Sequence, residues 1–251
     1  MAGGAIGQVT QTADDKQAAL TFLRSLEHHL NKCLPAQAEI VKRVTTIVQQ
    51  SKLSRVAQHT TFAEAAFLNI FVIPHLHAFL AEQQGLGTEN ARRALLSESY
   101  RKIPDFASDT PARSQLHPFS KVIGTRPQGV IKQWKETGRK SLVQSCPDFA
   151  LRHPCRHKVV FEGKYFSKGG ASAAETALAT GVYQAFFYRG LPSIPETSQR
   201  RAWDYDYACL LAYDATQDGS LRKAWGTVDK VVQRNGLWDG ASIYVMVLRG
   251  G

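Results

Sequence analysis

The pattern of apolar residues changes character part-way along this chain, and that change limits the architecture more than any single motif does. Leu20, Leu23, Leu26 and Leu30 recur at helical spacing and stop near Cys33, before Pro35. Ile40, Val41, Val44, Ile47 and Val48 mark a second amphipathic helix. Thr61-Phe62-Ala63-Glu64 has the form of a capping box that opens a third helix, apolar on most faces. Pro74 is expected to kink or end it. A shorter helix is expected from about Thr88 to Ser99, and no strand before residue 100. Prolines 104, 111, 118 and 127 then punctuate a connection over 103–128. A short basic helix is expected over 128–137.

After residue 140 the pattern alternates. Strands are predicted over Leu142–Leu151, His157–Phe166, Tyr205–Tyr213 and Ile243–Leu248, with helices over Ala171–Tyr188 and from Gly219 to about Asn235. The expected fold is α/β or α+β: a mixed central sheet flanked by helices, preceded by an all-helical N-terminal region. We divide the chain into a helical region, 1–110, and a core, 111–251.

Charge follows the same division. Residues 1–110 carry 11 basic and 10 acidic groups, whereas 111–251 carry 20 and 11. Seven basic groups face the single acid Glu136 between residues 111 and 147. A local surplus of this kind suits a polyanion, nucleic acid before an acidic membrane. The apolar stretch Phe67–Leu80 is interrupted by Asn69, Pro74, His75 and His77, so no membrane span is expected, and the N-terminus lacks a signal-peptide pattern. A cytoplasmic protein with free thiols is the expectation, since four scattered cysteines make no disulfide framework.

Chemistry concentrates at Pro147-Asp148 and Glu162-Gly163-Lys164, with thirteen residues between Asp148 and Glu162. Side chains two apart on a strand share a face, so Glu162 and Lys164 project together. A turn near Pro154 would fold the first strand back and bring Asp148 beside Glu162. Converging carboxylates repel unless a cation lies between them, and oxygen ligands of this kind suit Mg²⁺. The plain alternative is a surface Glu–Lys pair on a half-exposed strand, with Asp148 capping a turn. Cys146, His153, Cys155 and His157 do not have zinc-finger spacing.

These residues resemble the PD-(D/E)xK nuclease superfamily, the fold of type II restriction endonucleases and RecB-type exonucleases. Pro147-Asp148 is similar to its first motif and Glu162-Gly163-Lys164 to its second. Gln184-Ala185-Phe186-Phe187-Tyr188 resembles the Gln-x-x-x-Tyr motif of the RecB-like branch. The resemblance covers residues 115–250 and implies a restriction-endonuclease-like core. It implies a Mg²⁺-dependent deoxyribonuclease, with Mn²⁺ able to substitute. Asp148 and Glu162 would hold the metal, Lys164 would act on the nucleophile, and Gln184 would assist. Many members add an upstream glutamate; Glu64 and Glu98 are candidates, Glu64 also having its capping role.

Double-stranded DNA is the expected partner, with Arg126, Lys132, Lys135, Arg139, Lys140, Lys168 and Tyr188 as its contacts. The helical region would recognise DNA or build a homodimer. A type II restriction endonuclease leads. A stand-alone RecB-like exonuclease or repair nuclease is the first alternative, and a non-catalytic nucleic-acid-binding protein on a nuclease fold the second.

Overall fold

A computed structural model describes residues 12–50, 63–96, 148–151, 155–167, 169–189, 205–216, 218–226 and 237–249. The connection over 103–128, the basic helix over 128–137 and the strand residues 142–147 lie outside them.

The N-terminal half is helical where the apolar spacing predicts it. Helix α1, Ala13–Cys33, starts at Thr12, whose side chain accepts from the Asp15 N–H, with Asp14 and Asp15 in the first turn. It buries Ala19, Phe22, Leu23, Leu26 and Leu30 along one face. Helix α2, Gln37–Gln50, buries Ile40, Val44 and Val48. Helix α3 spans Ala63–Gln83, so Pro74 does not end it. A π-helical turn over Leu68–Val72 ends two residues before the proline, and the Ile73 N–H bonds back to the Leu68 carbonyl, five residues away. That wider turn absorbs the hydrogen bond and space that proline denies to regular helix. Helix α4, Gly87–Ala94, is shorter than expected because the chain turns into a strand at Leu95.

By length and composition α3 is apolar enough to cross a membrane, contrary to the reading of its sequence. Half of its most apolar window is buried inside the fold, where Phe67, Leu68, Phe71, Val72, Leu76, Phe79 and Leu80 pack.

Five strands form one mixed sheet in chain order: β1 (Leu95–Leu96), β2 (Phe149–Leu151), β3 (Val159–Phe166), β4 (Tyr207–Asp214) and β5 (Ile243–Leu248). Strands β1, β2 and β3 are antiparallel neighbours, whereas β3, β4 and β5 run parallel. The two-residue β1 falls within the region expected to be wholly helical. Parallel neighbours need a crossover, and α5, Ala171–Arg189, provides it between β3 and β4. A helix beginning at 220 (α6) and α7, Leu237–Ala241, lie between β4 and β5.

The sheet is covered on both faces. Phe149, Phe161, Tyr165, Cys209, Leu211 and Tyr213 pack against α1 to α4. Ala150, Val160, Ala208, Leu210 and Ala212 pack against α5 residues Ala174, Leu178, Val182 and Ala185. Covered on both sides, β4 has no polar alternation, and seven of its eight residues are buried. Each large apolar side chain so buried contributes about 1.5–3 kcal/mol. The N-terminal helices share one apolar core with the sheet. Along the outer edge of β5, Glu27 of α1 accepts the Val247 N–H at 3.1 Å and the Tyr244 hydroxyl, which closes that edge.

Two glycines set the distances between layers. A Cβ on Gly163 would stand 2.7 Å from Leu68 Cδ1, so α3 crosses β3 over a bare backbone. A Cβ on Gly181 would stand 2.6 Å from Leu210 Cδ1 and 3.1 Å from Lys164 Cγ. Glycine inside a helix costs roughly 1 kcal/mol against alanine; here it lets α5 approach Lys164.

Gly163→Ala is therefore expected to lower stability by about 1–3 kcal/mol, the usual cost of overpacking. Urea unfolding measures it; an unchanged midpoint would contradict the close crossing.

Candidate functional site

Strand β2 ends early. Its pairing with β3 runs from Leu151 opposite Val159 to Phe149 opposite Phe161. Beyond Phe161 the edge of β3 lacks a partner strand among the described residues, and its backbone groups still need partners. Asp148, the residue just before β2, accepts the Gly163 N–H through Oδ2 at 2.6 Å. Glu64, from the first turn of α3, reaches the same edge, where the nearby Tyr165 N–H slightly favours its charged form. The Gly163 carbonyl accepts from Lys164 Nζ at 2.9 Å. The side chains of Asp148 and Lys164 thus serve the Gly163 backbone where a strand would otherwise run, and the Glu64 carboxylate stands beside them.

The period-two alternation of β3 then adds the remaining groups. Glu162 and Lys164 project from the face that carries Val160 and Phe166, as their spacing predicts. Lys164 Nζ donates to Glu162 Oε1 at 2.6 Å and to Glu64 Oε1 at 3.5 Å. Carboxylate oxygens of Glu64, Asp148 and Glu162 all lie within 4.8 Å of one another. The cluster is sunken: Glu162 is 3% exposed, which removes the reading of a surface pair on a half-exposed strand.

Burial and mutual repulsion govern the charge state. Desolvation pushes the Glu162 carboxyl well up, Lys164 opposes that, and Asp148 and Glu64 reinforce it. Burial likewise raises Asp148 against the pull of Lys164 and the Gly163 N–H. Glu64 is raised from 4.5 to about 7, by burial first, with Lys164 lowering it and Asp148 adding to the rise. Burial alone would depress the Lys164 ammonium, but Glu162, Glu64 and Asp148 outweigh it, so the amine holds its proton more firmly than in water. One ammonium among one buried and two half-buried carboxyls leaves a negative excess, which protons or a cation must balance.

Hard oxygen donors that close together fit a divalent ion such as Mg²⁺ or Mn²⁺. Among the described residues no other group of metal-ligating side chains converges this way. Cys155 is buried, and the His157 ring packs on Phe22 at 5.3 Å between centroids.

Glu64 was one of two upstream candidates, with capping as its competing role. Its place in the cluster is not legible from the sequence, because it depends on α3 crossing at Gly163. Glu98 and Thr61 lie outside the described residues. Gln184 sits on α5 one turn beyond Gly181, and its buried Oε1 has no hydrogen-bond partner among the described residues. Tyr188 is 2% exposed and packs in the core between α5 and the sheet, so its side chain has little surface to offer a DNA strand. Arg126, Lys132, Lys135, Arg139, Lys140 and Lys168 lie outside the described residues.

No family model, no curated protein and no solved structure matches this chain.

The electrostatics predict how stability varies with pH. A carboxyl whose pKa is raised on folding contributes stability below its unfolded value and loses it as pH rises through the folded one. For Glu64 that window runs from 4.5 to about 7. In EDTA the midpoint of thermal unfolding is expected to fall across it, Mg²⁺ to restore stability at the upper end, and Glu64→Gln to flatten the slope. A midpoint that rises across the window in EDTA would contradict the described charge balance.

Proposed function

We propose that the chain is a metal-dependent deoxyribonuclease that hydrolyses phosphodiester bonds by direct attack of water. One observation carries this reading: three carboxylates within 4.8 Å of one another, with the Lys164 ammonium on two of them. They stand on the Pro-Asp and Glu-Gly-Lys residues that resemble the PD-(D/E)xK superfamily, with Glu64 added from α3.

Asp148, Glu162 and Glu64 would hold Mg²⁺ or Mn²⁺. The ion, when bound, polarises the phosphoryl group and lowers the pKa of water. The chain's own groups do the rest. Asp148 is fixed by the Gly163 N–H, so its free oxygen has a set direction. Lys164 holds its proton firmly, so it acts as a donor and a counter-charge: it orients the attacking water and neutralises charge gathering on phosphoryl oxygens. It is too basic here to remove a proton from water at neutral pH. Gln184, one turn beyond Gly181, would assist from α5, its Oε1 having no hydrogen-bond partner among the described residues.

A type II restriction endonuclease remains the leading form, with double-stranded DNA as substrate and a homodimer able to cut both strands. The competing form is a RecB-like exonuclease or repair nuclease, favoured by Gln184 and Tyr188 on one helix. A non-catalytic DNA-binding protein on the same fold is opposed by intact Asp148, Glu162 and Lys164.

Phage DNA with Mg²⁺ should be cut, and EDTA should stop it. Asp148→Ala and Glu162→Ala are expected to abolish cleavage while salt-sensitive DNA binding persists. Lys164→Met should slow cleavage by roughly 10²–10³-fold, as for loss of one charge-stabilising donor. Wild-type rates in Asp148→Ala would remove the assignment. Discrete fragments indicate a restriction enzyme, and erosion from ends an exonuclease.

A further inference from the structure

The proposed chemistry asks Lys164 to donate a hydrogen bond to water or to a phosphoryl oxygen, yet its three N–H groups are already directed elsewhere. They point to Glu162 Oε1 at 2.6 Å, the Gly163 carbonyl at 2.9 Å and Glu64 Oε1 at 3.5 Å. A fourth acceptor is reached only when one of these three is given up.

The three contacts differ in kind. Glu162 and Gly163 precede Lys164 on β3 itself, so one strand holds the donor and both acceptors. Glu64 belongs to another element, 100 residues away in sequence. Its contact is also the longest, well beyond the usual charge-assisted bond of about 2.7–2.9 Å. Glu64 is moreover one of the three carboxylates gathered within 4.8 Å of one another, so a divalent ion and the amine compete for it. The stem of Lys164 has little freedom, because α5 lies against it: a Cβ on Gly181 would stand 3.1 Å from Lys164 Cγ. Any change of partner is thus confined to the end of the side chain. That end is accessible, since the side chain is 15% exposed and lines a trough of about 580 Å³ along α5, with Ser172, Ala173 and Thr176.

Resting on the nuclease reading above, we propose that Glu64 is a positioning residue that releases Lys164 to the substrate when the site takes a divalent ion. Glu64 holds the third N–H of the amine until its oxygens are drawn to the ion. The Lys164–Glu64 bond then breaks, and the freed N–H is available at the trough for the attacking water or a phosphoryl oxygen. Glu162 and the Gly163 carbonyl keep the other two N–H groups, so the amine stays where β3 puts it. Loading of the ion and readiness of the amine become one event, and DNA that arrives before the ion meets an amine with nothing to donate.

The test is nuclear magnetic resonance of the full chain with its lysines labelled with heavy nitrogen. The Lys164 ammonium signal is assigned by its loss in Lys164→Met. In EDTA it should exchange slowly with water, as three held N–H groups require. Saturating Mg²⁺, with binding followed by calorimetry, should shift it and speed its exchange by about tenfold or more, the effect of losing one charge-assisted bond. Glu64→Ala, folded by circular dichroism, should show the fast exchange already in EDTA. Mg²⁺ that binds and leaves the exchange slow, a signal that exchanges fast in wild type before Mg²⁺ is added, or slow exchange in Glu64→Ala overturns the release of Lys164 and leaves the nuclease standing. No binding of Mg²⁺ and no cleavage of DNA overturns the nuclease reading and this one with it.

Discussion

The edge of β3 beyond Phe161, which has no partner strand among the described residues, organises this molecule. Backbone N–H groups at Gly163 and Tyr165 must be bonded, and the short β2 does not reach them. Asp148, just before β2, bonds the first, and Glu64, from the first turn of α3, comes to the same edge beside the second. Once two carboxylates have been drawn to that edge, the pleat of β3 adds Glu162 and Lys164 alongside. A requirement of sheet geometry thus gathers the charges, and neutral hydrogen bonds would have met the same requirement at lower electrostatic cost. A mutually repelling set standing there needs protons or a cation to balance it.

The layers around the edge make this arrangement possible. Gly163 lets α3 lie close enough for Glu64 to reach across, and Gly181 does the same for α5 over Lys164. The aromatic stack of Phe67 on Tyr213, 4.5 Å between centroids, fixes α3 on the opposite face of the sheet. The π-helical turn at Leu68–Val72 begins one turn beyond Glu64, so the helix changes its winding right where it leaves the site. Helices α1 to α4 share one core with the sheet and α5 a second on its other face, and the site lies at the β3 edge between them.

Much of this was legible in the residues, for identifiable reasons. Period-two alternation placed Glu162 and Lys164 on one face, and the antiparallel return set Asp148 opposite Glu162. Helices α1 and α2 were readable from apolar residues at helical spacing, strands β3, β4 and β5 from short apolar runs, and α5 from a long, proline-free run of small residues. Strand β1 was missed because two residues, Leu95 and Leu96, have no period. The continuation of α3 through Pro74 was missed because a π turn has no sequence signature. Glu64 was ambiguous because its role depends on a tertiary crossing, and its neighbours Thr61 and Phe62 fit a capping motif equally well. The burial of Glu162 and Tyr188 followed from a sheet covered on both faces, which local alternation does not reveal.

The central claim is that Glu64, Asp148 and Glu162 form one cation site at the edge of β3. A crystal grown with Mn²⁺ and measured at the manganese absorption edge tests it most directly. The account predicts a single strong anomalous peak among the oxygens of those three side chains. A saturated crystal with no peak there, and with Lys164 still the cation bonded to Glu162 and Glu64, would contradict it.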